Sequence, residues 1–307
     1  MPVEGYNYRM LEERMEKREK VVVVTGASSG IGYQAALDFA RSGVMVIGVG
    51  RDAQRCEAAR LRILAETPNA NVIFQVADLA HQDQIRDLGA KISQLLDERT
   101  SGKLDVLVNN AGLYMQKRVI TEDSVETTFA VNHLAPMLLT YLLLPHLEKT
   151  ENSRVITVSS NSHYSTWFNP AIEKHPTLYF GFWAYKVSKL GNVLFSRQFN
   201  CMRQGKTPQA FAVDPGLVNT DIGLKGTGGL VQAVWRGRQA KGMTAEVPSK
   251  TILHLANTDG LDAQRDVYWR DCKPKQPSRA ALDYSLAERL WVESCRLCGI
   301  PTDWNPG

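Results

Sequence analysis

Short apolar runs alternate with longer amphipathic segments along this chain of 307 residues. The first run, residues 21–24, consists of four valines, and a continuous β-branched run is typical of a strand buried on both faces of a parallel sheet. Similar runs recur along the chain, and most are followed by a polar or glycine-containing turn. The pattern predicts strands at residues 21–24, 44–49, 72–76, 104–108, 155–158, 210–213 and 267–269.

Between the strands, polar and apolar residues follow helical patterns. The predicted helices span residues 33–41, 52–66, 81–99 and about 121–147, and a further helix carries Tyr185 and Lys189. This alternation indicates the α/β class, with a single Rossmann-type doubly wound parallel sheet of about seven strands and helices on both faces. We expect a lead-in segment at 1–20 and one domain at 21–307, with a glycine-rich C-terminal substrate lid at about 222–243.

Composition narrows the range of functions. The chain is 44% hydrophobic and carries a net charge of +4 on dispersed basic residues, so we expect no nucleic-acid partner. Five cysteines, an odd number, and six scattered histidines indicate neither a disulfide framework nor a metal site. No run approaches the ~18 apolar residues of a membrane span. We expect a cytoplasmic protein, with peripheral contact at a membrane surface left open.

Tyr185 and Lys189 form the most informative pair of residues. Because they are four positions apart, they lie on one face of a helix. An ammonium group beside a phenol favours the phenolate, so we expect the pKa of Tyr185 to fall toward neutral pH. A phenol tuned in this way is suited to proton transfer at a carbonyl oxygen.

A glycine-rich turn follows the first strand. Gly26, Gly30 and Gly32 have the spacing G-x-x-x-G-x-G and precede a predicted helix. Glycines at such a turn let backbone N–H groups approach the pyrophosphate of a dinucleotide. Together with the Tyr185–Lys189 pair, this motif predicts hydride transfer between a nicotinamide and an alcohol or ketone.

The end of the second strand bears on which nicotinamide is used. An NAD site usually carries Asp or Glu there, but this chain has Gly50 followed by Arg51. Arg51 could pair with a 2′-phosphate, and Asp52 is better interpreted as the cap of the next helix. We therefore favour NADP(H) over NAD(H). The alternative is that Arg51 is a solvated loop charge.

The chain resembles the short-chain dehydrogenase/reductase family over roughly residues 20–225. The motifs that carry this resemblance are, in order, Thr25-Gly26-(x)3-Gly30-Ile31-Gly32, Asn109-Asn110-Ala111-Gly112, Ser160, Tyr185-(x)3-Lys189 and Pro215-Gly216. The long aromatic insert between Ser160 and Tyr185 is similar to that of the retinol-dehydrogenase-like branch. Pro136, close to Asn132, departs from that branch and could bend the helix that bears Asn132.

The resemblance implies four catalytic residues. Tyr185 would exchange the proton with the substrate oxygen, and Lys189 would lower the pKa of Tyr185 and bind the nicotinamide ribose. Ser160 would orient the substrate oxygen, although Ser159 competes for that role. Asn132 would hold a water that links Lys189 to solvent.

The resemblance also implies a set of cofactor-binding residues. Within this set, Asp78 would hold the adenine amino group, and Thr220 would reach the nicotinamide carboxamide or the phosphates. The full set is Gly26, Ser28, Ser29, Gly30, Ile31, Gly32, Arg51, Asp78, Asn109, Ala111, Gly112, Tyr185, Lys189, Pro215, Gly216, Val218 and Thr220.

An apolar lid over an aromatic insert favours an apolar alcohol or carbonyl substrate, such as a retinoid, a steroid or an isoprenoid alcohol or aldehyde. The alternative for both segments is ordinary packing on the domain. Relatives often pair through the helices around Asn132 and Tyr185, which implies a homodimer. Two other functions stay open: an NADP(H)-binding sensor or scaffold without significant turnover, and, with less support, a sugar-nucleotide epimerase or dehydratase.

Overall fold

The sheet is built from strands whose side chains are buried on both faces. The computed structural model describes residues 20–166, 179–218 and 244–304. In strand β1 (Val21–Thr25) all five residues are buried. Val21 and Val23 belong to one core cluster, whereas Val22 and Val24 belong to a second on the opposite face. Because both faces of the strand are covered, its sequence is a continuous apolar run rather than an alternating one.

The order of strands is that of a doubly wound sheet. The described residues form eight strands in the order β3-β2-β1-β4-β5-β6-β7-β8. The chain adds β2 and β3 on one side of β1 and then crosses over to add β4 to β8 on the other side. β1 to β7 are parallel, and β8 is a short antiparallel addition at the edge. The strands after β1 are β2 (Met45–Gly50), β3 (Val72–Val76), β4 (Val106–Asn109), β5 (Arg154–Val158), β6 (Gln209–Val213), β7 (Tyr268–Arg270) and β8 (Lys273–Pro274).

Helices cover both faces of the sheet. Within the described residues the helices are α1 (Gly30–Arg41), α2 (Ala53–Glu66), α3 (Gln82–Thr100), α4 (Thr127–Phe129), α5 (Ala135–Glu148), α6 (Gly181–Arg203), α7 (Glu246–Asn257) and α8 (Tyr284–Cys298). Apolar residues of α1, α2 and α7 pack in one core cluster, and those of α3, α5, α6 and α8 pack in the other. The α/β class and the covered parallel sheet that the sequence predicts are therefore confirmed.

The segment predicted as one helix at 121–147 is divided in the structure. Residues before α4 form a turn that is closed by a bridge between Ile120 and Glu126. The buried carboxylate of Glu126 accepts hydrogen bonds from the N–H groups of Thr128 and Phe129, both at 2.9 Å, and so caps α4. A π-helical turn, Ala130–Leu134, then leads into α5, whose first turn contains Pro136. Pro136 therefore falls where the π-helical turn passes into α5, and the backbone hydrogen bonding is interrupted at this junction because proline has no N–H.

The helical stretch Thr127–Glu148 is long and apolar enough to cross a bilayer, with a mean hydropathy of 1.3. A span of this kind was not predicted from the sequence, because His133, Pro136 and Pro145 interrupt the apolar run. In the structure, 89% of its most apolar window is buried inside the fold. Its apolar character is thus explained by its position in the core beside the sheet.

Three predicted features lie outside the described residues. They are the lid at 222–243, the lead-in segment apart from Lys20, and residues 167–178 of the aromatic insert.

Candidate active site

A cavity of about 1170 Å³ lies at the carboxyl edge of the sheet. Its wall is formed by residues that follow six different strands, from the glycine turn after β1 to Pro215 and Gly216 after β6. Most of the residues predicted to bind a cofactor line it: Gly26, Ser28, Ser29, Gly30, Ile31, Arg51, Asp78, Ala111, Gly112, Tyr185, Lys189, Pro215, Gly216 and Val218. Ligands of doubly wound sheets bind at this edge because the connecting loops diverge there.

The glycine turn has the backbone geometry needed to approach a phosphate group. Gly26 has a φ of +68°, which residues with a side chain rarely adopt. A Cβ on Gly32 would lie 2.4 Å from the carbonyl oxygen of Gly26, so the first turn of α1 packs directly on the loop. The N-terminus of α1 is consequently exposed to the cavity, and helix N-termini attract anionic groups. These residues fit the pyrophosphate of a dinucleotide.

Two of the predicted cofactor residues lie beneath the cavity rather than on its wall. Gly32 is buried in the contact with Gly26. The side chain of Asn109 is buried and donates a hydrogen bond to the Thr140 hydroxyl at 3.1 Å. It is Asn110 that reaches the cavity wall. Asn109 therefore steadies the connection between β4 and α5 and does not line the cavity.

The end of β2 carries positive charge toward the cavity. Arg51 and Arg55 both line it and are exposed. Asp52 accepts a hydrogen bond from the N–H of Arg55 at 2.9 Å and caps α2, as predicted. A Cβ on Gly50 would lie 2.6 Å from the Cys56 sulfur, so a larger residue would disturb the packing of α2.

The two adjacent serines after β5 have different surroundings. The buried hydroxyl of Ser159 donates to the carbonyl oxygen of Lys189 at 2.7 Å and ties β5 to α6. Ser160 is half-buried and lines the cavity, and its hydroxyl accepts a hydrogen bond from the N–H of Ser162 at 3.1 Å. The geometry thus favours Ser160 over Ser159 as the residue available to a ligand.

Tyr185 and Lys189 share one face of α6, as their spacing predicts. The Lys189 ammonium lies 5.7 Å from the centre of the Tyr185 ring and donates a hydrogen bond to the carbonyl oxygen of Val158 at 2.9 Å. Both side chains line the cavity, yet both are buried.

Burial sets the protonation of this pair. It raises the pKa of Tyr185 to about 12, partly offset by the hydrogen bond with Ser160 and reinforced by the Asp214 carboxylate. The same burial lowers the pKa of Lys189 to about 8. The spacing of the pair predicts a lowered pKa for Tyr185, but desolvation of the phenolate outweighs the favourable interactions and raises that pKa instead.

Asn132 lies in the π-helical turn and connects three segments. Its amide oxygen accepts from the N–H of Leu113 at 2.8 Å, and its amide nitrogen donates to the carbonyl of Leu113 at 2.9 Å and to the Ser188 hydroxyl at 3.0 Å. The side chain therefore holds the segment after β4 against α6 next to Tyr185. Its predicted role in a water relay stays a prediction.

Some residues of the cavity wall were not predicted from the sequence. Tyr114 packs edge-on against Tyr185 with ring centres 6.3 Å apart. Lys186 donates to the Ser165 hydroxyl at 2.9 Å and lies 5.5 Å from the centre of the Phe182 ring. For Lys186 a signal existed, namely its position next to Tyr185, whereas no local pattern identifies Tyr114. The predicted cofactor residue Thr220 lies outside the described residues.

The comparisons with known proteins agree with this arrangement. The sequence model of the family described as short chain dehydrogenase matches residues 20–226. Retinol dehydrogenase 12 of Mus musculus is 37% identical over 281 residues, which cover 92% of this chain and 87% of that protein. Among solved structures, an uncharacterized protein from Mycobacterium paratuberculosis is 28% identical with a TM-score of 0.69. The match covers 94% of this chain and 97% of that structure. A metagenomic short-chain oxidoreductase in complex with NADP is 25% identical with a TM-score of 0.56, and the match covers 78% of this chain and 91% of that structure.

The two serines make a prediction about stability. Ser159→Ala removes a second hydrogen bond to the buried carbonyl of Lys189, which keeps its bond within α6, so we expect a loss of about 0.5–1.5 kcal/mol in the free energy of unfolding. Ser160→Ala removes a cap from a short turn and should cost less than about 1 kcal/mol. Urea unfolding of both variants and the parent protein would measure the difference. A larger loss for Ser160→Ala would contradict the structural assignment.

Proposed function

This chain belongs to the short-chain dehydrogenase/reductase family, and on that basis we propose that it transfers a hydride between NADP(H) and an apolar alcohol or carbonyl substrate. Membership of the family makes it an oxidoreductase. The proposed reaction is supported by one observation: Ser160, Tyr185 and the glycine turn line the same cavity. The cavity volume of about 1170 Å³ also exceeds the ~300–1,000 Å³ of an ordinary small-molecule site, which suits a cofactor together with a substrate.

Each catalytic role follows from the chemistry of its residue. A nicotinamide bound in the cavity would supply or accept the hydride. Tyr185 donates the proton to the substrate oxygen, and Ser160 donates a second hydrogen bond to it; two donors at that atom stabilise the negative charge that develops there. Lys189 in its charged form stabilises the phenolate that Tyr185 becomes. Asn132 keeps α6 in register with the segment after β4.

The protonation of Tyr185 favours carbonyl reduction at neutral pH. With a pKa of about 12, the phenol holds its proton and is ready to donate it. Alcohol oxidation requires the phenolate as the proton acceptor, and that form becomes more abundant as the pH rises. We therefore propose reduction as the direction that this site supports at neutral pH.

The preference for NADP(H) rests on Arg51. A guanidinium at the end of β2, with Arg55 beside it, offers planar donors to a 2′-phosphate. The glycine turn and the residues after β4 and β6 would hold the rest of the cofactor. Within that set, Asp78 and Thr220 keep the roles that the resemblance implies.

The apolar substrate is supported by the cavity wall and by the relatives. Leu113, Tyr114, Met115 and Phe182 are apolar or aromatic residues that line the cavity together with the catalytic pair. The relative described above is named a retinol dehydrogenase, so retinoids are the first substrates to test, followed by steroids and isoprenoid alcohols or aldehydes.

Several further hypotheses belong to this proposal. The protein would comprise one domain at 21–307 after the lead-in segment, with the lid at 222–243 closing over the substrate. We also propose that the protein is cytoplasmic, that it contacts a membrane surface and that it forms a homodimer. Vesicle flotation and size-exclusion chromatography would test the last two.

The function itself is tested by binding and turnover together. Purified protein would be titrated with NADPH and NADH and then assayed for oxidation of NADPH by retinal, a steroid ketone, farnesal and a small aromatic aldehyde. Turnover of the long apolar carbonyl compounds supports the proposal. Tight NADPH binding without turnover of any of the four would favour the sensor or scaffold function instead.

Tyr185→Phe removes the proton donor while keeping the ring. We expect kcat to fall by about 10²–10⁴-fold, which is the usual contribution of general acid catalysis, with the Kd for NADPH little changed. Steady-state kinetics and fluorescence titration would measure the two quantities. Tyr141→Phe, the same change on α5 and outside the cavity wall, is the control. Full activity in Tyr185→Phe would refute the assignment.

The pH dependence follows from Lys189. Because its pKa is about 8, the ammonium is present below that pH and is lost as the pH rises through it. We expect kcat for carbonyl reduction to be steady from pH 6 to 7 and to decline above pH 8. Measurements of kcat with saturating NADPH and substrate from pH 6 to 10 would show this decline. A flat profile up to pH 10 would be inconsistent with a role for the charged lysine.

Arg51→Ala tests the cofactor preference. Hydrogen bonds to a charged group contribute about 1.5–3 kcal/mol, so the Kd for NADPH should rise roughly 10–100-fold while that for NADH is unchanged. Fluorescence titration with both cofactors would measure this. Arg60→Ala, which removes an arginine paired with Glu57 outside the cavity, is the matched control. An equal effect on both cofactors would reject the 2′-phosphate role.

A further inference from the structure

A fully buried histidine lies behind the candidate active site. His163 is in the 3₁₀ turn that begins after Ser160. Its Nε2 lies 3.1 Å from the backbone nitrogen of Ser278, which donates the hydrogen bond. Nε2 must therefore be unprotonated, and the ring proton is on Nδ1, which lies 2.7 Å from the carbonyl oxygen of Ser160. Burial lowers the pKa of His163, in keeping with a neutral ring.

The partner of His163 belongs to a segment that contacts two turns of the site. We call residues 275–278 the C-terminal clasp. The Lys275 ammonium donates to the Asn161 side chain at 3.0 Å and to the buried Asp214 carboxylate at 2.7 Å. Asp214 in turn accepts a hydrogen bond from the N–H of Gly216 at 3.0 Å. The clasp thus connects the Ser160 turn with the turn that leads to Pro215 and Gly216.

His163 contacts the backbone of Ser160 through two hydrogen bonds. The carbonyl oxygen of Ser160 accepts the bond from Nδ1 at 2.7 Å and a longer one from the His163 N–H at 3.3 Å. The imidazole is a rigid link between the Ser160 turn and the clasp.

We propose that His163 is a positioning residue: its neutral imidazole fixes the Ser160 turn against the C-terminal clasp and thereby aims the Ser160 hydroxyl at the substrate oxygen beside Tyr185. The inference rests on the proposed function, since it concerns the geometry of the same reaction. Displacement of a catalytic group by 1 Å can reduce the rate by about 10²-fold, so a small rotation of this turn is sufficient to matter.

Two conservative variants separate the two bonds of the ring. His163→Asn places an amide nitrogen near the position of Nδ1 and keeps the bond to Ser160. His163→Gln places an amide near Nε2 and keeps the bond to Ser278. Each variant loses one hydrogen bond, so the two should lose similar amounts of stability in urea unfolding. We expect kcat to stay within about threefold in His163→Asn and to fall about tenfold or more in His163→Gln, with KM and the Kd for NADPH little changed.

A double-mutant cycle shows whether the effect passes through Ser160. In a Ser160→Ala background, His163→Gln should cause no further fall in kcat. Equal losses of kcat in the two single variants, following their loss of stability, would mean that His163 is merely structural and would overturn the inference. Full activity in both would overturn it as well.

Crystal structures of the two variants give a readout that needs no turnover. The Ser160 hydroxyl oxygen should move by about 1 Å or more in His163→Gln and stay in place in His163→Asn. If the parent protein turns over no substrate, the proposed function fails, and this comparison still decides whether His163 positions Ser160. An unmoved Ser160 in both variants would reject the inference independently of activity.

Discussion

The site depends on a junction between the ends of two parallel strands. The hydroxyl of Thr25, at the end of β1, accepts hydrogen bonds from the N–H groups of Asn110 at 2.9 Å and Ala111 at 3.0 Å. The Asn110 amide returns a bond to the carbonyl of Thr25 at 2.8 Å. This junction lies between β1 and β4, where the order of strands changes side, and it forms the base of the crevice between the two halves of the sheet. It joins the start of the glycine turn to the segment after β4 that bears Tyr114.

Desolvation is the second constraint, and it acts on Tyr185 and Lys189 in opposite directions. A buried phenol and a buried amine both shift toward their neutral forms, which are cheaper to bury than the ions. Helical spacing brings the two groups together, but it does not determine how much water reaches them. The chemistry of the pair therefore depends on the packing of the whole cavity wall.

Local patterns in the sequence were sufficient for much of the fold. The valine run of β1, the glycine turn and the Asp52 cap each depend on residues close together in the chain, and each is found where predicted. The turn before α4 was not predicted, because the helical pattern of the sequence begins at about residue 121. In the structure the carboxylate of Glu126 caps the helix, which begins at Thr127. The pKa of Tyr185 could not be predicted because it follows from burial by distant segments. The contact of His163 with Ser278 spans 115 positions, and no local signal reports it.

The C-terminal clasp also has a consequence for the order in which the molecule assembles. During synthesis the glycine turn, β4 and α6 all emerge before residues 275–278, so nearly all the residues that line the crevice precede the clasp in the chain. The turn that bears Ser160 must wait for about 115 further residues before its backbone partner exists. The residues of the cofactor pocket are thus synthesised before the contact that fixes the Ser160 turn can form.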